Sequence, residues 1–154
     1  MISKFLLKKL INQRIRDAES LIKKRCYYSS KYISGYAIEL ALKYKICKMY
    51  RFSKGFPETK EEFRKYFDNP NFSQKQNKEL RIVISALKEI KTHDLSKLLY
   101  YSGEESRIKA ACFDEWAIAF SWKPEMRYKL VPTKKHEAIL NLSSIKTILE
   151  KIKL

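Results

Sequence analysis

The chain has 154 residues, of which 45% are hydrophobic and 32% charged, and it contains only three glycines and four prolines. This composition excludes a disordered chain. Because turn-forming residues are few, it predicts one all-α domain over residues 1–154. The expected architecture is an up-and-down bundle of four to five core helices with short connecting helices. The formal charge of +16 predicts a polyanionic partner, of which nucleic acid is the commonest, although an anionic membrane or an acidic protein would satisfy the same charge.

The first two predicted helices are long. The first covers residues 2–25 and has apolar residues at three- and four-residue spacing, with basic residues on the opposite face. Its stripe consists of Phe5, Leu6, Leu10, Ile11, Ile15, Ala18, Leu21 and Ile22. The second helix, over 27–50, is apolar on almost every side, which is typical of the central helix of a bundle. Within it Gly35 predicts the close approach of another helix, and Lys43 follows Glu39 in the favourable order for an ion pair.

Two further helices are predicted in the middle of the chain. Gly55 and Pro57 break the pattern of the second helix. A short helix over 58–67 follows, and a turn at 68–71 leads to a longer helix over 73–91.

The C-terminal part contains three more predicted helices. Thr92 or Asp94 is suited to cap the first of them, which carries three leucines. The next helix covers 104–121, and a proline-containing stretch over 122–128 separates it from the last helix, over 134–152. The residues spaced for a core in the 104–121 helix are Ala110, Phe113, Trp116, Ala117 and Phe120.

The cysteines and the N-terminus indicate the compartment. Cys26, Cys47 and Cys112 form no CxxC pair, and their odd number does not indicate a disulfide framework or a zinc site. We therefore expect buried thiols in a reducing cytosol, with no metal and no cofactor. The N-terminus lacks the features of a signal peptide, and no window approaches the roughly 18 apolar residues of a spanning helix. The sequence thus predicts a cytoplasmic protein that does not enter a membrane.

Four segments resemble the HEPN family of nucleic-acid-linked helical bundles, in its branch of short stand-alone bacterial domains. They are Gly35-Tyr-Ala-Ile-Glu-Leu-Ala-Leu-Lys43, Phe56-Pro57, Thr92-His-Asp-Leu95 and Trp122-Lys-Pro-Glu-Met-Arg-Tyr128. Their order and spacing also fit, and the similarity extends over about residues 11–152. The resemblance implies a helical bundle that often forms a homodimer.

The resemblance also implies RNA as the partner. Many HEPN members are metal-independent RNA endonucleases or inert relatives of them, found as toxins paired with small nucleotidyltransferases and in antiviral defence. In active members an Arg precedes a His with four to six residues between them, and paired sites meet at a dimer interface. Here Lys88, Leu87 and Ala86 precede His93 at those spacings. The alternative function is therefore a catalytically silent module that binds RNA or a partner protein, such as a nucleotidyltransferase or an antitoxin.

The residue types point to candidates for the chemistry. Cleavage of RNA through its 2′-hydroxyl needs a general base, a general acid and a cation over the phosphate. Imidazole suits the first two roles, and a guanidinium suits the third. We predict that His93 is the acid or base, that Arg127 supplies the guanidinium, and that Glu39 orients one of them. Three lysines are predicted to bind the nucleic acid: Lys88, Lys91 and Lys43.

The same residues also admit structural roles. His93 can help to cap its helix, and Glu39 with Arg127 can form a buried ion pair that fixes the helix register. A third function, an adaptor at an anionic membrane, would use the amphipathic first helix, whose apolar stripe the core also needs.

Overall fold

The structure, a computed structural model, describes residues 1–67, 90–152 and 154, and these residues are mostly helical. The helices are α1 (Lys4–Lys23), α2 (Tyr27–Met49), α3 (Lys60–Phe67), α4 (Leu95–Ser102), α5 (Glu105–Ala111), α6 (Phe113–Phe120) and α7 (Lys135–Ile152), with a 3-10 helix over Pro124–Tyr128. In place of strands, the described residues contain one isolated antiparallel bridge, between Ile2 and Phe56. The prediction of an all-α helical bundle is confirmed.

Two predicted elements lie largely outside the described residues. The structure does not describe the predicted turn at 68–71. It also does not describe residues 73–89 of the predicted long helix, which include Lys88. Ile90 and Lys91 are described, and both lie in a bend rather than in a helix. The predicted end of the helix at residue 91 is therefore wrong.

Helices α1 and α2 form a hairpin whose ends follow from local chemistry. The Ser3 side chain accepts a hydrogen bond from the backbone N–H of Leu6 (3.1 Å) and so caps α1. After α1, Arg25 adopts a left-handed backbone conformation (φ 61°), and the N–H of Cys26 donates to the carbonyl of Leu21 (2.8 Å). This tight turn reverses the chain, so that α1 packs along α2.

Helix α2 lies at the centre of the bundle, as its all-round apolar character predicts. It contacts α1, α4, α7 and the 3-10 helix. Its buried residues include Ala37, Ile38, Ala41, Leu42, Ile46 and Cys47. A polar side chain in this helix is therefore surrounded by protein, and it needs a partner within the protein.

Gly35 in α2 makes room for a side chain, not for the neighbouring helix that the sequence predicted. A Cβ atom at this position would lie 2.1 Å from Cδ1 of Trp122, which follows α6. The buried indole donates a hydrogen bond from Nε1 to the backbone carbonyl of Tyr32 (2.9 Å). The contact holds the start of the 3-10 helix against α2.

The predicted helix over 104–121 is broken at Cys112, whose backbone is not helical (φ −156°, ψ 53°). Of the predicted core positions only Trp116 is buried, because the buried stripe runs through Ile108, Cys112, Trp116 and Ala119 instead. The exposed ones are Ala110, Phe113, Ala117 and Phe120. A similar offset in α1 buries Leu7 and leaves Phe5 and Leu6 exposed.

Candidate functional site

The turn before α4 sets the position of His93. Of the two predicted caps it is Asp94 that caps the helix, because its Oδ1 accepts from the N–H groups of Ser96 (2.9 Å) and Lys97 (3.2 Å). Thr92 instead fixes the turn, since its Oγ1 accepts from the N–H of Asp94 (3.0 Å). The His93 ring takes no part in this cap and turns towards α2.

His93 is hydrogen-bonded to a buried carboxylate. Its Nδ1 lies 2.8 Å from Oε2 of Glu39, which is 3% exposed in the middle of α2. An ionised carboxylate can only accept, so Nδ1 carries the hydrogen, and Nε2 of the neutral ring remains an acceptor. The His93 side chain is 57% exposed, which leaves this second nitrogen accessible.

Lys43 compensates the buried charge of Glu39. Its Nζ lies 2.6 Å from Oε1 of Glu39, one helical turn away, as the spacing in the sequence predicted. The ammonium also lies 5.3 Å from the ring centroid of Phe56, and the side chain is largely buried. Lys43 therefore contacts the carboxylate that holds His93, whereas the nucleic-acid contact proposed for it stays a prediction.

His93 lines a cavity of about 490 Å³ on the surface of the bundle. Its described lining includes two exposed cations, Lys91 and Lys123, and two exposed carboxylates, Asp94 and Glu125. The apolar walls are Leu95, Phe120, Trp122 and Pro124. The oriented imidazole can accept a proton in this cavity, and the two ammonium groups can contact an anionic group, although the two carboxylates equal them in number.

Arg127 lies outside this arrangement. It is exposed on the 3-10 helix, its Cζ lies 4.8 Å from the ring centroid of Tyr128, and it is not among the described residues that line the cavity. Within the described part of the chain it makes no ion pair with Glu39. The structure thus brings together Glu39 and His93 and leaves Arg127 apart from both. The buried Glu39–Arg127 pair considered as an alternative is wrong.

Tyr36, which is hydrogen-bonded to Tyr32, interacts electrostatically with both Glu39 and Arg127. The hydroxyl oxygens of Tyr32 and Tyr36 lie 2.7 Å apart. Burial, together with this hydrogen bond, raises the pKa of Tyr36 to about 12; Glu39 adds to the increase and Arg127 opposes it. Tyr36 therefore stays protonated at neutral pH and serves as a hydrogen-bonding group.

Sequence reasoning missed Lys123 as a part of the site. No local signal identifies it, because it reaches the cavity only through the packing of its neighbour Trp122 on Gly35. Of the lysines that were predicted to bind nucleic acid, Lys91 lines the cavity, and Lys88 lies outside the described residues.

Three further findings concern metal binding, membrane-spanning helices and similarity to known proteins. In the described ranges, 1–67 and 90–152, no three or more His, Cys, Asp and Glu side chains are grouped so that they could hold a metal ion. None of the described helices combines the length and apolar character needed to cross a membrane. Comparisons of the chain with protein-family models, with curated proteins and with solved structures found no match.

Proposed function

We propose that this protein is a HEPN-like, RNA-directed protein that acts as a metal-independent endoribonuclease, with His93 as its proton-transfer group. The observation that carries the proposal is the 2.8 Å hydrogen bond from Nδ1 of His93 to the buried carboxylate of Glu39, at the wall of a cavity that also contains Lys91 and Lys123. A carboxylate that orients an imidazole is a recurrent device for making the other ring nitrogen a base.

The proposed reaction transfers the RNA phosphate between two oxygens of the substrate. The 2′-oxygen attacks phosphorus, and its proton passes to Nε2 of His93. The bond from phosphorus to the 5′-oxygen breaks, and that oxygen takes a proton from water. The products are a 2′,3′-cyclic phosphate and a 5′-hydroxyl. Glu39 stabilises the imidazolium, and Lys91 with Lys123 balances the charge of the phosphate.

The biological setting in this proposal follows the resemblance to the HEPN family. The protein would act in the cytoplasm as a homodimer whose two sites meet at the interface. Its role would be that of a toxin, neutralised by a small nucleotidyltransferase or another antitoxin, or of an effector in antiviral defence. A toxin of this kind should slow growth when it is expressed alone.

A catalytically silent module is the second candidate, and the position of Arg127 favours it. The described lining of the cavity contains lysines but no guanidinium, and an ammonium lacks the planar fork that holds two phosphate oxygens at once. In that case the Glu39, Lys43 and His93 network joins α2 to α4, and the basic surface binds RNA or a partner without cleavage.

Incubation of the purified protein with end-labelled single-stranded RNA in excess EDTA tests the two candidates. We expect cleavage products that end in a 2′,3′-cyclic phosphate, lost in His93→Ala and retained in His136→Ala. His136 is the matched control because it is the second of the two histidines and is exposed near the start of α7. Retained RNA binding without cleavage would establish the silent module.

A further inference from the structure

A strongly basic and largely exposed segment follows α6 and begins at the cavity. Residues 123–135 contain one carboxylate and five basic residues: Lys123, Arg127, Lys129, Lys134 and Lys135. The first of these lines the cavity of His93. Among them, Tyr128 projects with 78% of its side chain exposed. A single exposed aromatic is common on protein surfaces, but this one lies among basic side chains, where it can contact a ligand that carries both a flat ring and negative charge.

The structure holds the backbone that carries Tyr128. The indole of Trp122 donates to the carbonyl of Tyr32 (2.9 Å), and the hydroxyl of Tyr28 donates to the carbonyl of Met126 (2.6 Å). Met126 also packs against the hydrophobic core. These contacts fix the 3-10 helix to α2 on both sides of Lys123, so Tyr128 is displayed from an anchored support, which lowers the entropy cost of binding.

Arg127 stacks on the Tyr128 ring. The Cζ atom of Arg127 lies 4.8 Å from the ring centroid, which is the geometry of a cation–π contact. Because most of the tyrosine is exposed, the remainder of the ring is open to a second planar group. An aromatic ring with a guanidinium on it, surrounded by lysines, suits a ligand that carries both flat rings and phosphates.

We infer that Arg127 and Tyr128 form a base-stacking platform for single-stranded RNA, on a path that continues from the cavity of His93. An unpaired base stacks on Tyr128, and the flanking phosphates lie by Lys123 and Lys129. A base-paired strand does not offer a free ring face, so the platform selects single strands but tolerates any base. The inference rests on RNA being the partner in the proposed function, and it requires binding but no cleavage.

The test uses a ligand that cannot react. The probe is a fluorescent 2′-O-methyl oligouridylate of about ten nucleotides, compared with an abasic oligomer that has the same number of phosphates. Tyr128→Ala should weaken binding of the oligouridylate about tenfold, the scale of one base–aromatic stack, and leave the abasic oligomer unaffected. Tyr128→Phe should bind both probes as the wild type does. Lys129→Ala should weaken both, since it contributes charge alone.

Tyr100→Ala is the matched control, because Tyr100 is a similarly exposed tyrosine (65%) on α4 and lies outside the basic segment. It should leave both affinities unchanged. Circular dichroism shows whether each variant keeps the helical content of the wild type. Equal affinities of Tyr128→Ala and the wild type for the oligouridylate would overturn the inference, and so would an equal loss for both probes.

An anionic membrane is the other ligand class that a basic segment with the exposed apolar residues Leu130 and Val131 can attract. Binding to phosphatidylglycerol vesicles that is lost in Tyr128→Ala, with oligouridylate binding intact, would replace the RNA platform by a membrane contact.

The proposed nuclease activity is tested separately from the platform. Base-dependent binding through Tyr128 in a protein that never cleaves RNA supports the platform and overturns the nuclease. His93-dependent cleavage, together with unchanged binding of both probes in Tyr128→Ala, supports the nuclease and overturns the platform.

Discussion

Glu39 and His93, which are 54 residues apart in the sequence, share a 2.8 Å hydrogen bond that joins the central helix to the turn before α4. The carboxylate is buried, whereas more than half of the imidazole is exposed. The buried Glu39 carboxylate therefore orients the His93 ring, and the ring presents a proton acceptor to solvent. This asymmetry is what general acid–base chemistry needs, and it also makes Glu39 costly to leave unpaired.

Replacement Glu39→Gln should remove both the charge and the control of the imidazole tautomer. The amide has one acceptor oxygen for two donors, Lys43 and Nδ1 of His93, so an NH2 group that faces His93 favours the tautomer with the hydrogen on Nε2, and the neutral amide cannot stabilise the imidazolium that the proposed cleavage forms. We expect the single-turnover cleavage rate to fall by about 10²-fold or more, by analogy with other carboxylate-oriented imidazoles. Glu125→Gln, at the exposed rim of the same cavity, should cleave as the wild type does. A wild-type rate in Glu39→Gln would show that the carboxylate has no part in the reaction.

Lys43→Met should destabilise the fold, because it leaves the buried carboxylate of Glu39 without its ammonium. Breaking a buried pair costs about 3–5 kcal/mol, and we expect a loss near the lower end since His93 still donates to Glu39. Urea unfolding measures it.

The chain offers a matched pair as control. Lys109 and Glu105 have the same spacing and the same 2.6 Å separation but are exposed, so Lys109→Met should cost about 0.5 kcal/mol or less. Equal losses in the two variants would contradict the assignment of Lys43 as the counter-charge of a buried group.

The sequence predicted the long helices well and the shorter ones less well. Helices α1, α2 and α7 begin and end within two residues of the prediction, because the apolar pattern of each is long. The break at Cys112 was missed because no glycine or proline marks it.

The same distinction applies to the site. The contact of Lys43 with Glu39 follows from spacing along one helix, and it was predicted. The contact of Glu39 with His93 was one of two options, since the sequence alone left open whether the carboxylate faces His93 or Arg127. The packing of Trp122 on Gly35 and the hydrogen bond from Tyr28 to Met126 decide where the 3-10 helix lies, and both contacts join segments that are distant in the chain.

Gly35→Ala should therefore destabilise the protein even though alanine is the better helix former. The new Cβ would overlap the indole of Trp122. Overpacking of this kind costs about 1–3 kcal/mol, against a gain of about 1 kcal/mol in helix propensity. We expect a lower free energy of unfolding for Gly35→Ala in the wild-type background.

The background Trp122→Ala provides the decisive comparison for this clash. Removal of the indole costs about 3–5 kcal/mol by itself, because a buried ring is lost. In that background the clash is absent, so Gly35→Ala should stabilise the protein by up to about 1 kcal/mol. The same sign of effect in both backgrounds would show that the indole is not what excludes a side chain at position 35.

The three cysteines should differ sharply in reactivity towards a thiol reagent at pH 8. Burial raises the pKa of the Cys47 thiol to about 12, and burial also raises the pKa of Cys112, whereas Cys26 is exposed between α1 and α2. Only the thiolate reacts, and the reagent must also reach it. We expect one fast equivalent per native chain, absent in Cys26→Ser, and three equivalents after unfolding in urea. A second fast equivalent in the native protein would place Cys47 or Cys112 at the surface. It would then contradict the packing of α2, or of the α5–α6 break, on which the position of the site depends.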